Sequence, residues 1–390
     1  MADSLQFFSC VKIGNELYCT TIAEKILMKI NLLSGKLTLL SRLSPTWNGA
    51  WFYALYSNFL YMPARNCSCI EKYDTISEMH QTIEWENTNH NSWDCGYTGC
   101  FAYQDKLYIS PRYDDKIIIY DVKEDRFVDP FILGANCDNL TKKDNEEPTE
   151  IYTRALMADN RIWLFPRSQG DIHIYDMDTG NAEQIPLPKK IEGCTEVIFH
   201  AGVIYIMDWA ERLYVWNEKE DYARCVFDSL CSAPYFQTFA VTDRNIWLLP
   251  GIGTDIYIYN LISGKARIYG EYPADFRYEP LADGVSKYRE CAFDENKYFV
   301  PNQTGNMVLT IDKTTGSGTW IVPALPSPAE WYKFLSRKSY SGEPVPKTII
   351  ETERFGLHFF CKALAGNFDD HDEIKMKDCV GSHIWKAIGV

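Results

Sequence analysis

Residues 153–187 read TRALMADNRIWLFPRSQGDIHIYDMDTGNAEQIPL. An apolar run ends at the turn pair Asp159 and Asn160, and Arg161–Phe165 follows as a run of branched and aromatic residues. Pro166–Gly170 interrupts it. Asp171–Tyr175 then alternates, with Ile172 and Ile174 on one side. Asp176–Gly180 is a turn in which Gly180 supplies positive φ, and 181–187 forms a last short run. Four short runs bounded by turn residues predict one antiparallel sheet of four strands.

The same phrase recurs along the chain. Hydrophobic–aromatic pairs stand at Leu17-Tyr18, Leu60-Tyr61, Leu107-Tyr108, Ile162-Trp163, Ile204-Tyr205, Ile246-Trp247 and, more weakly, Lys297-Tyr298. Twelve to fourteen residues later an Asp or Asn closes an apolar run: Asn31, Asp74, Asp121, Asp176, Asn217, Asn260 and Asp312. Such closers suit turns, because a short polar side chain bonds the backbone just after itself. A strand-like repeat with a period in the forties to fifties predicts an all-β fold, a seven-bladed β-propeller of four-stranded antiparallel blades. The propeller is expected over 5–323. The phrase stops at Pro323, and 324–390 is expected to be a short mixed or helical C-terminal extension packed on the propeller.

The bulk numbers agree with this reading. Of 390 residues 46% are hydrophobic and 14% aromatic, with 25 Tyr, 20 Phe and 11 Trp, which suits sheets packed face to face. A net charge of −14 argues against nucleic acid and anionic membrane as partners. No run of about eighteen apolar residues is present to span a membrane. The start, MADSLQ, lacks a basic region and a continuous apolar core, so no secretory signal is expected. The 13 Cys are read as reduced thiols of a cytoplasmic protein.

In a propeller the loops joining second to third strands, and those joining one blade to the next, meet on one face. Four residues after each aromatic stand Ile22, Arg65, Arg112, Arg167, Trp209, Gly251 and Asn302. Three consecutive blades thus place Arg at one corner. The functional reading is a guanidinium cluster that binds carboxylate, phosphate or sulfate. The alternative is that each Arg pairs with a nearby acid such as Asp114, Asp115 or Asp171. Trp51, Trp93 and Trp209 add flat stacking faces to the same side. The expected ligand is an acidic glycan, a sugar phosphate or an acidic protein segment, bound at Arg65, Arg112, Arg167, Trp209, Asn302, Trp51 and Trp93.

Other chemistry is less well served. Cys67, Cys69, His80, His90, Cys95 and Cys100 lack the spacing of a structural zinc site, so no metal and no cofactor is expected. There is no G-x-S-x-G elbow and no phosphate-binding glycine loop. A carboxylate-pair enzyme acting on glycan remains the competing class, with Glu150, Glu196, Asp208, Glu211 and Asp255 as its candidate acids.

The segments GNELY at 14–18, INLLSGK at 30–36 and IYNLISGK at 258–265 resemble the repeats of kelch-like and quinoprotein-like propellers. The corner phrase ending Pro-Arg and the segment GSHIWKAI at 381–388 are similar to uncharacterised bacterial propellers encoded among surface-polysaccharide genes. That resemblance implies an association with glycan assembly and names no reaction.

Overall fold

The computed structural model describes residues 7–21, 25–43, 52–64, 69–84, 96–134, 150–220, 222–228, 236–251, 255–274, 276, 288, 292–302, 307–327, 330–331 and 334. They form seven four-stranded antiparallel sheets, each built from one contiguous stretch with its strands in chain order. The second and third strands of the blades are Glu16–Thr21 and Ile26–Asn31, Phe59–Pro63 and Cys69–Asp74, Lys106–Pro111 and Lys116–Asp121, Arg161–Pro166 and Asp171–Asp176, Val203–Met207 and Leu213–Trp216, Asn245–Pro250 and Tyr257–Asn260, and Lys297–Asn302 and Met307–Asp312. First strands of neighbouring blades touch one another, so they line the axis. Fourth strands such as Ala182–Pro186 and Lys265–Ile268 lie largely in solvent at the outer rim. The sheets close into a ring, the predicted seven-bladed propeller.

The recurring pairs explain the packing. Successive residues of a strand point to opposite faces of its sheet. The second strand of every blade is covered on both faces, so its two consecutive apolar residues enter different interblade cores. Leu17 packs in the core between blades 7 and 1, Tyr18 in that between blades 1 and 2. Leu60 shares the core with Tyr18, while Tyr61 packs with Leu107 between blades 2 and 3. The relay continues through Tyr108 with Ile162, Trp163 with Ile204, and Tyr205 with Ile246. Trp247 and Tyr298 share the core between blades 6 and 7.

Blade 7 departs by one residue from the sequence reading. Lys297 pairs with Asp312 as Glu16 pairs with Asn31. The working pair is therefore Tyr298 and Phe299, and Phe299 faces blade 1. Asn302 consequently stands one place before the corner that Arg112 and Arg167 occupy.

The closers act as expected. The Oδ1 atoms of Asn31, Asp74, Asp176, Asn260 and Asp312 each accept the backbone N–H groups two and three residues on, at 2.8–3.2 Å. Hydrogen bonds from Ser77, Ile76 and Asn58 hold the Asp74 carboxyl down at about 2.

Among the described residues the ring closes without strand exchange. Blade 1 meets blade 7 through the core containing Phe7, Leu17, Phe299 and Val308. Cys10 Sγ donates to Phe299 O at 3.7 Å, and Lys12 pairs with Asp294 at 2.8 Å. Past blade 7, Ala324 forms a short parallel bridge with Lys36, and Phe334 joins the same core. Trp331 packs against that core too, and the expected C-terminal extension beyond Phe334 lies outside the described residues.

Candidate functional site

The corner after the second strand is fixed by backbone bonds to its surroundings. Arg112 N donates to Gly96 O at 3.0 Å, and Arg112 O accepts from Ile151 N at 2.8 Å, where the chain enters blade 4. Arg167 N then donates to Ile151 O at 2.9 Å. One connecting residue therefore ties both arginine corners together, which brings adjacent blades to a common rim.

The two guanidinium groups converge on one carboxylate. Arg112 Nη2 lies 2.5 Å from Glu150 Oε1, and Arg167 Nη1 pairs with Glu150 Oε2. The Arg112 and Glu150 side chains are mostly covered, whereas that of Arg167 is 35% exposed. Charge-assisted bonds of this kind are short and strong. Asp114, an acid expected as a local partner, accepts Lys116 N at 3.0 Å within its own loop. The three charges sum to +1 on a chain whose net charge is −14.

Trp209 completes this rim from blade 5. Its indole Nε1 donates to Arg167 O at 2.6 Å, and the Arg167 Cζ stands 4.3 Å from its ring centroid. The indole is 44% exposed, so a flat apolar face meets solvent in a fixed orientation. Gly193 makes the arrangement possible. Its φ is +136°, and a Cβ there would come 2.2 Å from Arg167 O, the acceptor for Trp209. Gly193→Ala is expected to destabilise the fold by about 1–3 kcal/mol through backbone strain, and to shift Trp209 fluorescence. Unchanged melting and emission would show that this loop does not press on the Arg167 carbonyl.

Below the rim a second ionic pair faces the axis. Arg154 and Glu196 occupy the same register position on neighbouring first strands, opposite Phe165 and Met207. Arg154 Nε lies 3.1 Å from Glu196 Oε1, and its guanidinium stands 4.7 Å from the Phe52 ring centroid. Burial pushes the Glu196 carboxyl up while Arg154 opposes that shift. The clue in sequence was a charge in each inner strand, at Arg154 of TRALMA and Glu196 of EVIFH.

Of the expected ligand residues, Arg112, Arg167 and Trp209 come together. Asn302 does not join them: it is fully buried, with Tyr288 Oη 3.5 Å from its amide. Arg65, Trp51 and Trp93 lie outside the described residues. The candidate acids have structural partners as well. Asp208 is buried and receives Ala210 N, Arg212 N and the Arg212 guanidinium at 2.7–2.9 Å. Glu211 Oε1 accepts Phe236 N at 3.2 Å.

A third polar group lies away from this face. Ser41 Oγ is 2.8 Å from His80 Nδ1, and His80 Nε2 is 2.7 Å from Glu71 Oε2, which also accepts Thr82 Oγ1 at 2.9 Å. The hydroxyl–imidazole–carboxylate order is that of a nucleophile relay. The imidazole is 3% exposed and the carboxylate 0%, so the group acts as a sealed polar clasp between blades 1 and 2.

No protein-family model matches the chain, and no curated protein matches its sequence. Solved structures do resemble its fold. A streptogramin B lyase superposes with a TM-score of 0.55 at 11% identity, covering 77% of this chain and 92% of that one. The virginiamycin B lyase of Staphylococcus aureus gives 0.54 at 9% identity, covering 78% and 94%. U3-55K gives 0.51 at 9% identity, covering 79% and 89%. At such identities these likenesses concern the propeller alone. Among the described residues no helix is long and apolar enough to cross a membrane.

Proposed function

We propose that the protein is a binding or scaffold propeller that takes an acidic ligand at the rim built by Arg112, Arg167 and Trp209. The ligand class is a glycan, a sugar phosphate or an acidic protein segment. The sequence reading adds Arg65, Trp51 and Trp93, which lie outside the described residues, to the proposed ligand set. The observation that carries the reading is the convergence of two guanidinium groups from adjacent blades on one carboxylate, beside a half-exposed indole. A carboxylate is already bound there, supplied by the chain itself. Glycan cleavage by acids on the same face is the weaker reading, because Glu150, Glu196 and Asp208 are each held by guanidinium groups.

The test is a calorimetric screen of acidic sugars, sugar phosphates and acidic peptides, repeated with R112A/R167A. Hydrogen bonds to charged groups contribute about 1.5–3 kcal/mol each, so the double variant is expected to lose roughly a hundredfold or more in affinity. Wild-type affinity should fall as salt rises, since the rim is open to screening. Binding that ignores both the substitutions and salt would refute the reading.

A further inference from the structure

We infer that the ligand presents a carboxylate on a sugar ring, as a uronic acid does, and that Glu150 occupies that carboxylate's seat as an internal competitor. This inference rests on the binding reading above and specifies its ligand.

The seat is built for two oxygens. Arg112 takes Glu150 Oε1 and Arg167 takes Oε2, so one planar carboxylate spans two blades. Exchange of Glu150 for a ligand carboxylate leaves the charge between the guanidinium groups unchanged. A phosphate dianion would add a further negative charge next to the displaced Glu150, on a chain that already carries −14. Charge therefore selects a monoanionic group.

Trp209 selects the rest of the ligand. Its N–H is committed to Arg167 O, so the indole is fixed and offers solvent only its apolar surface. Such a surface stacks on the C–H face of a sugar ring. A run of Asp or Glu would supply the carboxylate but no ring face to lie on the indole. Glu150 reaches the seat from the strand entry that also bonds both arginine corners, through Ile151. Its occupancy lowers the apparent affinity in proportion to the fraction of molecules in which the seat is filled.

The experiment is titration calorimetry on the full chain at low salt. The probes are trigalacturonate, neutral galactotriose, glucose 6-phosphate, inorganic phosphate and an oligoglutamate peptide. The variants are E150Q, E150A and R112A/R167A, each checked for folding by circular dichroism and melting. Trigalacturonate is expected to bind, galactotriose to be silent, and both Glu150 variants to bind trigalacturonate about tenfold or more tighter than wild type. Tightening in E150A alone, with E150Q unstable, carries the same conclusion. If trigalacturonate binds through the arginines but neither Glu150 variant tightens it, the competitor role is overturned and the binding reading stands. Stronger binding of either phosphate probe, or of oligoglutamate, overturns the uronate assignment while leaving an acidic-ligand site. Binding unchanged in R112A/R167A, or no binding by any probe, removes the site and with it both conclusions.

Discussion

Glu71→Ala is expected to lower the unfolding free energy by about 2–5 kcal/mol, because it strips two buried donors of the carboxylate that they share. Glu71 has no solvent-exposed side-chain surface, and one of its oxygens serves both His80 Nε2 at 2.7 Å and Thr82 Oγ1 at 2.9 Å. Removing the carboxylate takes away the acceptor that the imidazole and the Thr82 hydroxyl share. Water has little access, since the imidazole is 3% exposed. The effect also crosses a blade boundary, for Ser41 of blade 1 bonds the other imidazole nitrogen. Denaturant unfolding gives the measurement. Glu71→Gln should be milder, since its amide oxygen still accepts. Replacing the pair together, as E71M/H80F, should recover much of the loss, because apolar packing substitutes for a buried pair more readily than a half-pair survives. The contrast is Glu218→Gln: Arg161 and Glu218 are 3.6 Å apart and both part-exposed, which predicts about 0–1 kcal/mol. Equal losses for Glu71→Ala and Glu218→Gln would mean that the clasp is not buried in solution.

Such a clasp illustrates what the sequence shows and what it withholds. Strand pairs and closers are local signals. Leu17 and Tyr18 must both be apolar because the second strand is covered on both faces, and Asn31 must be short and polar because it bonds the next turn's backbone. Both requirements are met within about fifteen residues, so periodicity reveals them. In blade 7 the run Tyr298-Phe299-Val300 offers three consecutive large apolar residues, and only the pairing of Lys297 with Asp312 decides which two are the pair.

Side-chain partners behave differently. Arg112 and Arg167 could be aligned by counting from their aromatics, but their shared acid, Glu150, lies 38 residues from Arg112, at the end of an acidic stretch. Ion pairing depends on distances of a few ångströms across loops, and spacing in sequence carries no such information. The same holds for His80 and Glu71. Considered as potential metal ligands, the Cys and His residues of that region hid a polar clasp whose hydroxyl comes from another blade. Arg154 and Glu196 were more accessible to reasoning. A full charge in an inner strand is costly unless paired, so each of the two charges implies the other.

The second large effect concerns ring closure. Phe7→Ala is expected to cost about 3–5 kcal/mol, the same as Trp247→Ala. Phe7 is 0% exposed in the core between the first and last blades, and Trp247 is 1% exposed between blades 6 and 7. In an open repeat array, a residue near the terminus has a neighbour on one side only, and its loss is cheap because end units fray. In a closed ring no unit is terminal. Among the described residues no strand is shared between blades 7 and 1, and the seam there consists of side-chain packing together with the Cys10, Lys12 and Ala324 contacts. Phe7 is one of the fully buried side chains of that packing and stands at the edge of the described chain. Equal penalties in guanidinium unfolding require blade 7 to hold blade 1 as firmly as blade 6 holds blade 7. A Phe7→Ala penalty below about 1 kcal/mol, with the full loss retained at Trp247, would mean that the seam opens in solution. The arginine rim spans blades 3 to 5, far from the seam in chain order. Ligand binding should therefore survive Phe7→Ala wherever the ring still folds.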